Sequence, residues 1–268
     1  MKLAVISLNL LAMFVLNAHS AIFTFDLNLS SQLDDNFTQI NAAGTNHPFV
    51  HSTSAGLGSN GGITKGVAAA AGATSYVYDT SFAGNKDDFS FSFLWKSSNA
   101  EGANLLMGVT NSASYTLNAG GVPLNGSLPQ IGFQANVGLN GISMTQYDGT
   151  ASASSIASKS MSGLSTDTFY QAKFSYSYNS LDANYDLVLS VSTVDGSGNV
   201  LAEHDSITAS DRSSALSEDS STFLYFATLE NYSVELDNLS SSVFVPEPKA
   251  YSLLLGFISL GLVALRRR

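Results

Sequence analysis

The sequence contains no cysteine, only one tryptophan and only five prolines among its 268 residues. Without cysteine the chain cannot form a disulfide, a thiolate zinc site, a catalytic thiol or a lipid-modified N-terminal cysteine. The length and the 44% hydrophobic content are enough for one globular domain of ordinary size. Stability must therefore come from packing within that domain or from bound ions.

Charged side chains are also scarce, at 12% of the chain, with 11 Lys and Arg against 21 Asp and Glu. Five of the basic residues lie near the chain ends, namely Lys2, Lys249 and the last three arginines. The acidic residue Glu247 also lies near the C-terminus. The remaining body carries six basic and twenty acidic side chains, a net charge of −14. Such a body repels phosphate backbones, so no nucleic-acid partner is expected.

Residues 1–20 have the three parts of a secretory signal peptide. Lys2 supplies the charge, an apolar run covers residues 3–16, and Ala18 and Ser20 place small residues at positions −3 and −1 of a cleavage site. A buried helix would need a polar face at helical spacing, which this run lacks. The pattern predicts export through the Sec translocon, with a mature chain that begins at Ala21.

A second apolar segment, residues 250–265, carries no charge and is followed directly by Arg266, Arg267 and Arg268. As a helix it would rise roughly 24 Å. Lys249 and the arginines can snorkel, which lets the segment reach across a hydrocarbon core of roughly 30 Å. The positive-inside rule keeps the arginines cytoplasmic and places the body on the outer side of the membrane. Both termini therefore predict export.

Residues 245–268 resemble a PEP-CTERM sorting signal. The triplet Pro246, Glu247 and Pro248 precedes the short apolar helix and the basic terminus, which is the order typical of that family. The prolines lack amide hydrogens and fix φ, so the triplet stays extended, as a protease substrate must be. The resemblance implies processing by a membrane exosortase in a Gram-negative bacterium that secretes exopolysaccharide, with the precursor held in the inner membrane. The alternatives are a plain tail anchor and a GPI signal, and the arginines argue against the latter.

The body from residue 22 onward alternates apolar and polar residues in short bursts separated by Gly, Asn, Asp and Ser, which is typical of half-buried antiparallel strands. Residues 195–199 read Asp-Gly-Ser-Gly-Asn and predict a hairpin turn, because their glycines can adopt positive φ. The clearest predicted strands cover residues 23–29, 89–95, 131–137, 170–178, 185–194 and 234–239.

The order of these strands is similar to that of concanavalin-like or laminin-G-like jelly rolls. The fold class predicted for residues 21–243 is therefore all-β, a two-sheet antiparallel sandwich of jelly-roll type, flanked by the signal peptide and the single C-terminal transmembrane helix. Residues 53–74 and 151–165 are rich in Gly, Ala and Ser. We expect them to form long loops or solvated edge strands within this one domain.

Concanavalin-like glycosidases share an acidic E-x-D-x-E or E-x-D-x-x-E strand, because retaining hydrolysis requires two carboxylates about 5 Å apart. Here Glu235 and Asp237 begin such a pattern, but Leu239 and Ser240 stand where the third carboxylate belongs. We therefore predict no catalytic residues and no enzymatic activity. Glu235 and Asp237 are expected on the solvent face of the last strand, opposite Val234.

No resident metal or other cofactor is predicted. His47 and His51 are close in sequence but lack an evident third ligand, so ordinary surface histidines explain them better than zinc does. Three oxygen-rich stretches, residues 34–36, 87–88 and 195–199, leave calcium as an alternative, although none matches a full calcium loop. Turn formation and solvation are the default explanation for all three.

Trp95 and the tyrosines at positions 76, 78, 170, 176, 178 and 185 have two interpretations. Their positions in alternating segments favour packing in the core or across strand pairs. A stacking platform for sugar rings is the alternative.

Three functions remain open at this stage. The first is a noncatalytic exported surface or matrix protein, sorted by an exosortase and associated with extracellular polysaccharide. The second is a lectin-like domain that binds that polysaccharide. The third is a polysaccharide hydrolase, which would need carboxylates brought together from distant strands.

Overall fold

The alternating segments form antiparallel strands in the computed structural model. It describes residues 20–41, 48–65, 72–81, 88–99, 105–151, 153–179, 181–214, 216, 221–229 and 233–244. Residues 22–242 make up one compact unit. The sorting residues 246–248 and 266–268 and the cleavage-site residue Ala18 lie outside the described residues, as does the predicted span 250–265. No helix in the described part of the chain is long and apolar enough to cross a membrane.

Within these ranges the chain forms strands joined mostly by short connections. A short α-helix, α1 (Ser30–Asp34), follows the first strand, and a 3-10 helix covers Leu57–Ser59. The strands are β1 (Ser20–Phe25), β2 (Phe37–Asn41), β3 (Val50–Ser52), β4 (Gly62–Lys65), β5 (Ala73–Tyr78), β6 (Phe89–Ser97), β7 (Leu105–Thr110), β8 (Thr116–Leu117), β9 (Pro123–Asn125), β10 (Leu128–Pro129), β11 (Ile131–Gly138), β12 (Gly141–Asp148), β13 (Ala153–Ser160), β14 (Tyr170–Asn179), β15 (Asn184–Val194), β16 (Val200–Arg212), β17 (Phe223–Leu229) and β18 (Val234–Phe244).

The first sheet has the order β16-β15-β14-β6-β18-β4-β3, and β1 also pairs with β18. The predicted hairpin joins β15 to β16 through residues 195–199. In β6 and β14, Phe91 lies opposite Phe174 and Phe93 lies opposite Ala172, so the apolar members of both alternating segments share one face. That face is buried.

The second sheet has the order β13-β12-β11-β7-β17-β5-β2. Its inward row includes Tyr76, Phe226, Met107 and Ala135, which lie opposite one another on β5, β17, β7 and β11. Phe226 meets Phe93 of the first sheet with ring centroids 4.9 Å apart in an edge-on arrangement. The two sheets therefore pack face to face, and the sandwich predicted from the sequence is confirmed.

A small sheet of order β10-β9-β8 covers part of the outward face of the second sheet. Tyr115 and Leu117 pack there against Val77 and Tyr225 and form a second apolar cluster. The Tyr115 hydroxyl is 2.9 Å from the Ser75 hydroxyl. Side chains that alternation alone would leave exposed on this face are thereby buried, since Tyr225 is 1% exposed.

Polar contacts join the two sheets along the side where their edge strands, β13 and β16, lie. The Lys159 ammonium pairs with the Asp205 carboxylate. Close by, the His204 ring nitrogen Nε2 lies 3.0 Å from the Ser162 carbonyl oxygen. Gln146 Nε2 donates to the Ser213 carbonyl oxygen over 2.6 Å. These contacts tie the two sheets together along one side of the sandwich.

Two sequence-based expectations about elements need correction. The first strand ends at Phe25, because Leu27 has positive φ (54°), so the predicted alternation does not continue to Leu29. Residues 53–74 were expected to be loops or solvated edge strands, yet β4 lies inside the first sheet and Ile63 is fully buried. For residues 151–165 the expectation is confirmed, because β13 is a largely exposed edge strand.

Gly108 on β7 provides a direct test of strand spacing in the second sheet. A Cβ atom at this position would lie 2.1 Å from the Phe133 carbonyl oxygen of β11, which is backbone and cannot rotate away. We expect Gly108→Ala to lower the free energy of unfolding by about 2 kcal/mol or more, measured by urea denaturation. Gly196→Ala is the matched control, because nothing lies within 4 Å of its Cβ position, and it should stay close to wild type. Equal stabilities of the two variants would contradict this packing.

Candidate functional site

A shallow groove of about 460 Å³ opens beside strands β11, β12 and β13 at one end of the second sheet. Nearly all of its side chains are small or polar and uncharged. The lining residues are Asn136, Asn140, Gly141, Ile142, Ser143, Ser158, Lys159 and Ser160. None of these eight residues is acidic, so the groove lacks the carboxylate pair that glycoside hydrolysis would need.

Strand register explains why polar groups line this groove. Asn136 on β11 lies opposite Ser143 on β12, and Ser143 lies opposite Ser158 on β13, which makes one row across three strands. The neighbouring row contains Val137 and Ile142, both buried in the core. Successive residues of a strand point to opposite faces. Since the row with Val137 and Ile142 faces the core, the row with Asn136, Ser143 and Ser158 faces outward.

Lys159 is the only charged residue in the lining, and its charge is matched by a partner. Its ammonium contacts Asp205 on β16, and this hydrogen bond is the largest cause that lowers the pKa of the Asp205 carboxyl. The opposite charges of the two side chains offset each other. The groove is therefore close to neutral within an acidic protein.

A chain of hydrogen bonds runs from the interior to the groove. The Tyr225 hydroxyl donates to Gln134 Oε1 over 2.9 Å, and Gln134 Nε2 donates to Asn136 Oδ1 over 2.7 Å. Asn136 Nδ2 then donates to the Ser143 hydroxyl oxygen over 3.0 Å. Tyr225 and Gln134 are both buried, and burial raises the pKa of Tyr225 well above its ordinary value, so its hydroxyl keeps its proton.

The structure places the two predicted carboxylates differently from each other. Glu235 lies on the outward face of β18 and pairs with Lys96 over 2.7 Å, as expected for a partly exposed position. Asp237 was expected on the solvent face, and this is wrong, because it is only 4% exposed. Its carboxylate accepts the Leu57 backbone N–H over 2.8 Å, in the segment between β3 and β4. Asp237 therefore anchors a covering loop.

Among the histidine and calcium candidates, His51 and Asp195 have ordinary structural roles, and residue 87 lies outside the described residues. His51 Nε2 is 2.6 Å from the Asn28 carbonyl oxygen, whereas His47 lies outside the described residues. Asp195 accepts the backbone N–H groups of Ser197 and Asn199 over 2.8 and 2.9 Å and so closes its own turn, as the default explanation predicted. In the part of the chain that the structure describes, no three His, Asp or Glu side chains are placed to hold a metal ion.

Most of the candidate stacking aromatics are in the core. Trp95 and Tyr185 are fully buried, Tyr76, Tyr170 and Tyr176 are nearly so, and Tyr78 and Tyr178 are half-buried. The core-packing interpretation is thus confirmed for the tryptophan and for the four buried tyrosines, at positions 76, 170, 176 and 185. None of these rings lines the groove.

Sequence reasoning did not identify the groove residues. Alternation could have assigned Asn136, Ser143 and Ser158 to an outward face, but many serines in this chain fit the same pattern. Their alignment in one row depends on the pairing of β11, β12 and β13, which only the folded structure supplies.

No family model matches the sequence, and no curated protein matches it significantly. Solved structures do match the fold. Lectin I-B4 from Griffonia simplicifolia aligns with a TM-score of 0.52 at 13% identity, over 84% of this chain and all of the lectin. Lectin II from Ulex europaeus gives 0.52 at 12% identity, over 84% of this chain and 99% of the lectin.

A Bacillus subtilis protein of unknown function with a galectin-like fold gives a TM-score of 0.53 at 7% identity, over 82% of this chain and 94% of its own. Identities this low show the fold alone. The described body is a jelly-roll sandwich, similar in fold to these lectins.

The environment of Asp237 predicts a pH effect on stability. Desolvation raises its pKa above the ordinary 3.8, outweighing the Leu57 and Asn238 N–H groups that favour the carboxylate. The folded protein thus holds this proton more tightly than the unfolded chain, so this group makes stability fall as pH rises from 3.8 through the raised pKa. We expect Asp237→Asn to remove that part of the pH dependence in urea unfolding.

Glu235→Gln is the matched control for this experiment, because it changes the neighbouring carboxylate on the same strand and leaves Asp237 in place. This variant should keep the fall in stability with rising pH that Asp237 contributes. An Asp237→Asn variant whose stability changed with pH as steeply as the wild type would show that Asp237 is not desolvated in this way.

Proposed function

We propose that this protein is a noncatalytic, exported lectin-like protein that binds neutral polysaccharide in the groove of β11, β12 and β13. The observation that carries the proposal is the row of Asn136, Ser143 and Ser158 at an open groove on a lectin-like fold. Amide and hydroxyl groups both donate and accept hydrogen bonds, which matches the hydroxyls of a sugar. The fold neighbours that are named as lectins support the same class of ligand.

The size and shape of the groove suit a polymer. Its volume of about 460 Å³ falls within the range of small-molecule sites, roughly 300–1,000 Å³. It is shallow and has no aromatic ring in its lining, so we expect weak binding to a single sugar. A polysaccharide repeats its unit many times, and several surface-held copies of the protein would bind one chain with high avidity.

The charges favour a neutral ligand over an acidic one. The chain carries a net charge of −10, and Lys159, the one charged residue of the lining, pairs with Asp205 on the other sheet. A polyuronate would meet long-range repulsion without an unpaired cation to offset it. Neutral glycans meet no such penalty.

Hydrolysis is the less favoured function. Asp237 holds the backbone of Leu57 under a covering loop, and Glu235 is paired with Lys96, so both carboxylates have partners within the protein. The groove itself contains no acid to protonate a leaving group. Binding without turnover is the chemistry that these residues support.

The terminal segments determine the proposed cellular location of the protein. The signal peptide would deliver the body through the Sec translocon, and the PEP-CTERM-like segment would hold the precursor in the inner membrane until an exosortase processes it. The body would then reach the surface or extracellular matrix, where polysaccharide is its expected partner.

Binding of the full-length chain to immobilised neutral β-glucan, mannan and galactan tests the groove, with polygalacturonate as the acidic comparison. Ser143→Ala and Asn136→Ala should each weaken binding to the neutral polymers by about fivefold, the effect of one neutral hydrogen bond. Ser175→Ala is the matched control, because β14 carries this serine on the outward face of the other sheet. Absence of binding to every neutral polymer, or equal loss in the control, would contradict the proposal.

Replacement of Pro246, Glu247 and Pro248 by alanine tests the sorting assignment. The apolar helix remains in that variant, so we expect an uncleaved, membrane-held precursor in an exosortase-bearing host, detected by fractionation and an antibody to the body. Deletion of Arg266, Arg267 and Arg268 should instead weaken membrane retention. Release of the alanine variant at the normal rate would favour a plain tail anchor.

A further inference from the structure

The hydrogen-bond chain that ends in the groove begins two strands away, under the small sheet. Tyr225 on β17, Gly108 on β7 and Gln134 on β11 lie side by side on the outward face. The Tyr225 ring passes over Gly108, since a Cβ there would come within 3.1 Å of that ring. A side chain at position 108 would crowd the phenol, so glycine leaves room for the ring beside Gln134.

The hydrogen-bond chain has one favoured direction of donation. Among the described residues, Gln134 is the one hydrogen-bond partner of the Tyr225 hydroxyl. If every bond were reversed, the phenolic proton would be buried without an acceptor, which costs about 1–3 kcal/mol in typical proteins. Tyr225 therefore donates, and each amide downstream must accept on its oxygen and donate through its nitrogen.

This direction decides what the groove offers a ligand. Ser143 receives the Asn136 N–H on its oxygen, and no described residue accepts the Ser143 proton. Ser143 is only partly exposed, and it lines the groove. Its hydroxyl proton is thus free to point at a molecule bound there.

We propose that Tyr225 and Gln134 are positioning residues of the groove, which orient Asn136 so that Ser143 acts as a hydrogen-bond donor to the bound saccharide. This inference rests on the proposed function of the groove. It restricts the ligand, because the sugar atom over Ser143 must be an acceptor, such as a hydroxyl, ring or glycosidic oxygen. Neither positioning residue touches the saccharide itself.

The hydrogen-bond chain can be tested by NMR in the ligand-free, full-length protein labelled with nitrogen-15. Tyr225→Phe should shift the side-chain amide signals of both Gln134 and Asn136, although Asn136 does not contact Tyr225. Tyr170→Phe is the matched control, because it removes a buried phenol of the other sheet that bonds to Ser165 and takes no part in the hydrogen-bond chain. It should leave the Asn136 amide unchanged. Unchanged Asn136 signals in Tyr225→Phe would overturn the inference.

Asn136→Asp tests the direction with an isosteric change near the surface, which avoids a buried defect. An aspartate can still accept from Gln134 but cannot donate to Ser143, so the serine proton should turn toward the carboxylate. Binding to the immobilised neutral polymers should fall by roughly fivefold or more, while the Gln134 amide signal is retained. Tyr225→Phe should cause a smaller loss in the same direction.

The outcomes separate the two proposals. If the wild type binds none of the neutral β-glucan, mannan and galactan polymers, the proposed function fails, and the amide signals still decide whether the chain exists. If the wild type binds and Asn136→Asp binds equally well, the positioning roles are wrong while the groove remains a binding site. A shift of the Asn136 amide in Tyr225→Phe together with weaker polymer binding supports both.

Discussion

The packing of the two sheets depends on the ring of Phe226. Its centroid lies 4.9 Å from that of Phe93 on the opposite sheet and 5.3 Å from that of Tyr76 on its own. Phe37 and Phe49 complete the surrounding rings at 5.5 and 5.9 Å. In a chain without disulfides, aromatic burial of this kind must fix both the distance and the relative orientation of the sheets.

The parts of the fold that the sequence predicts are those encoded by neighbouring residues. In β6, the aromatic residues Phe89, Phe91, Phe93 and Trp95 recur at every second position, and this period alone identifies both the strand and its core face. The turn at residues 195–199 is equally local, since Asp195 closes it with its own carboxylate. The sandwich architecture follows because each such strand has one face to bury.

The parts that were missed depend on residues far apart in sequence. Asp237 lies on a face that alternation assigns to solvent, but its partner Leu57 comes from a loop 180 positions earlier. The groove likewise arises from the register of three strands, in which Asn136, Ser143 and Ser158 happen to align. No local pattern distinguishes these residues from the other polar positions of an alternating strand, so neither feature could be inferred before the fold was known.

The groove also depends on contacts that serve the fold. Its outer wall is β13, an exposed edge strand whose backbone would be free to move if only β12 held it. Lys159 connects it to Asp205 on the other sheet, and His204 contacts Ser162 just beyond its end. From the opposite side, Asn136 holds Ser143 on β12. Both walls are thus held by contacts within the protein, which would reduce the ordering cost of the proposed binding. A shallow groove without aromatic rings would need that preorganisation to bind a saccharide, because it offers few other sources of affinity.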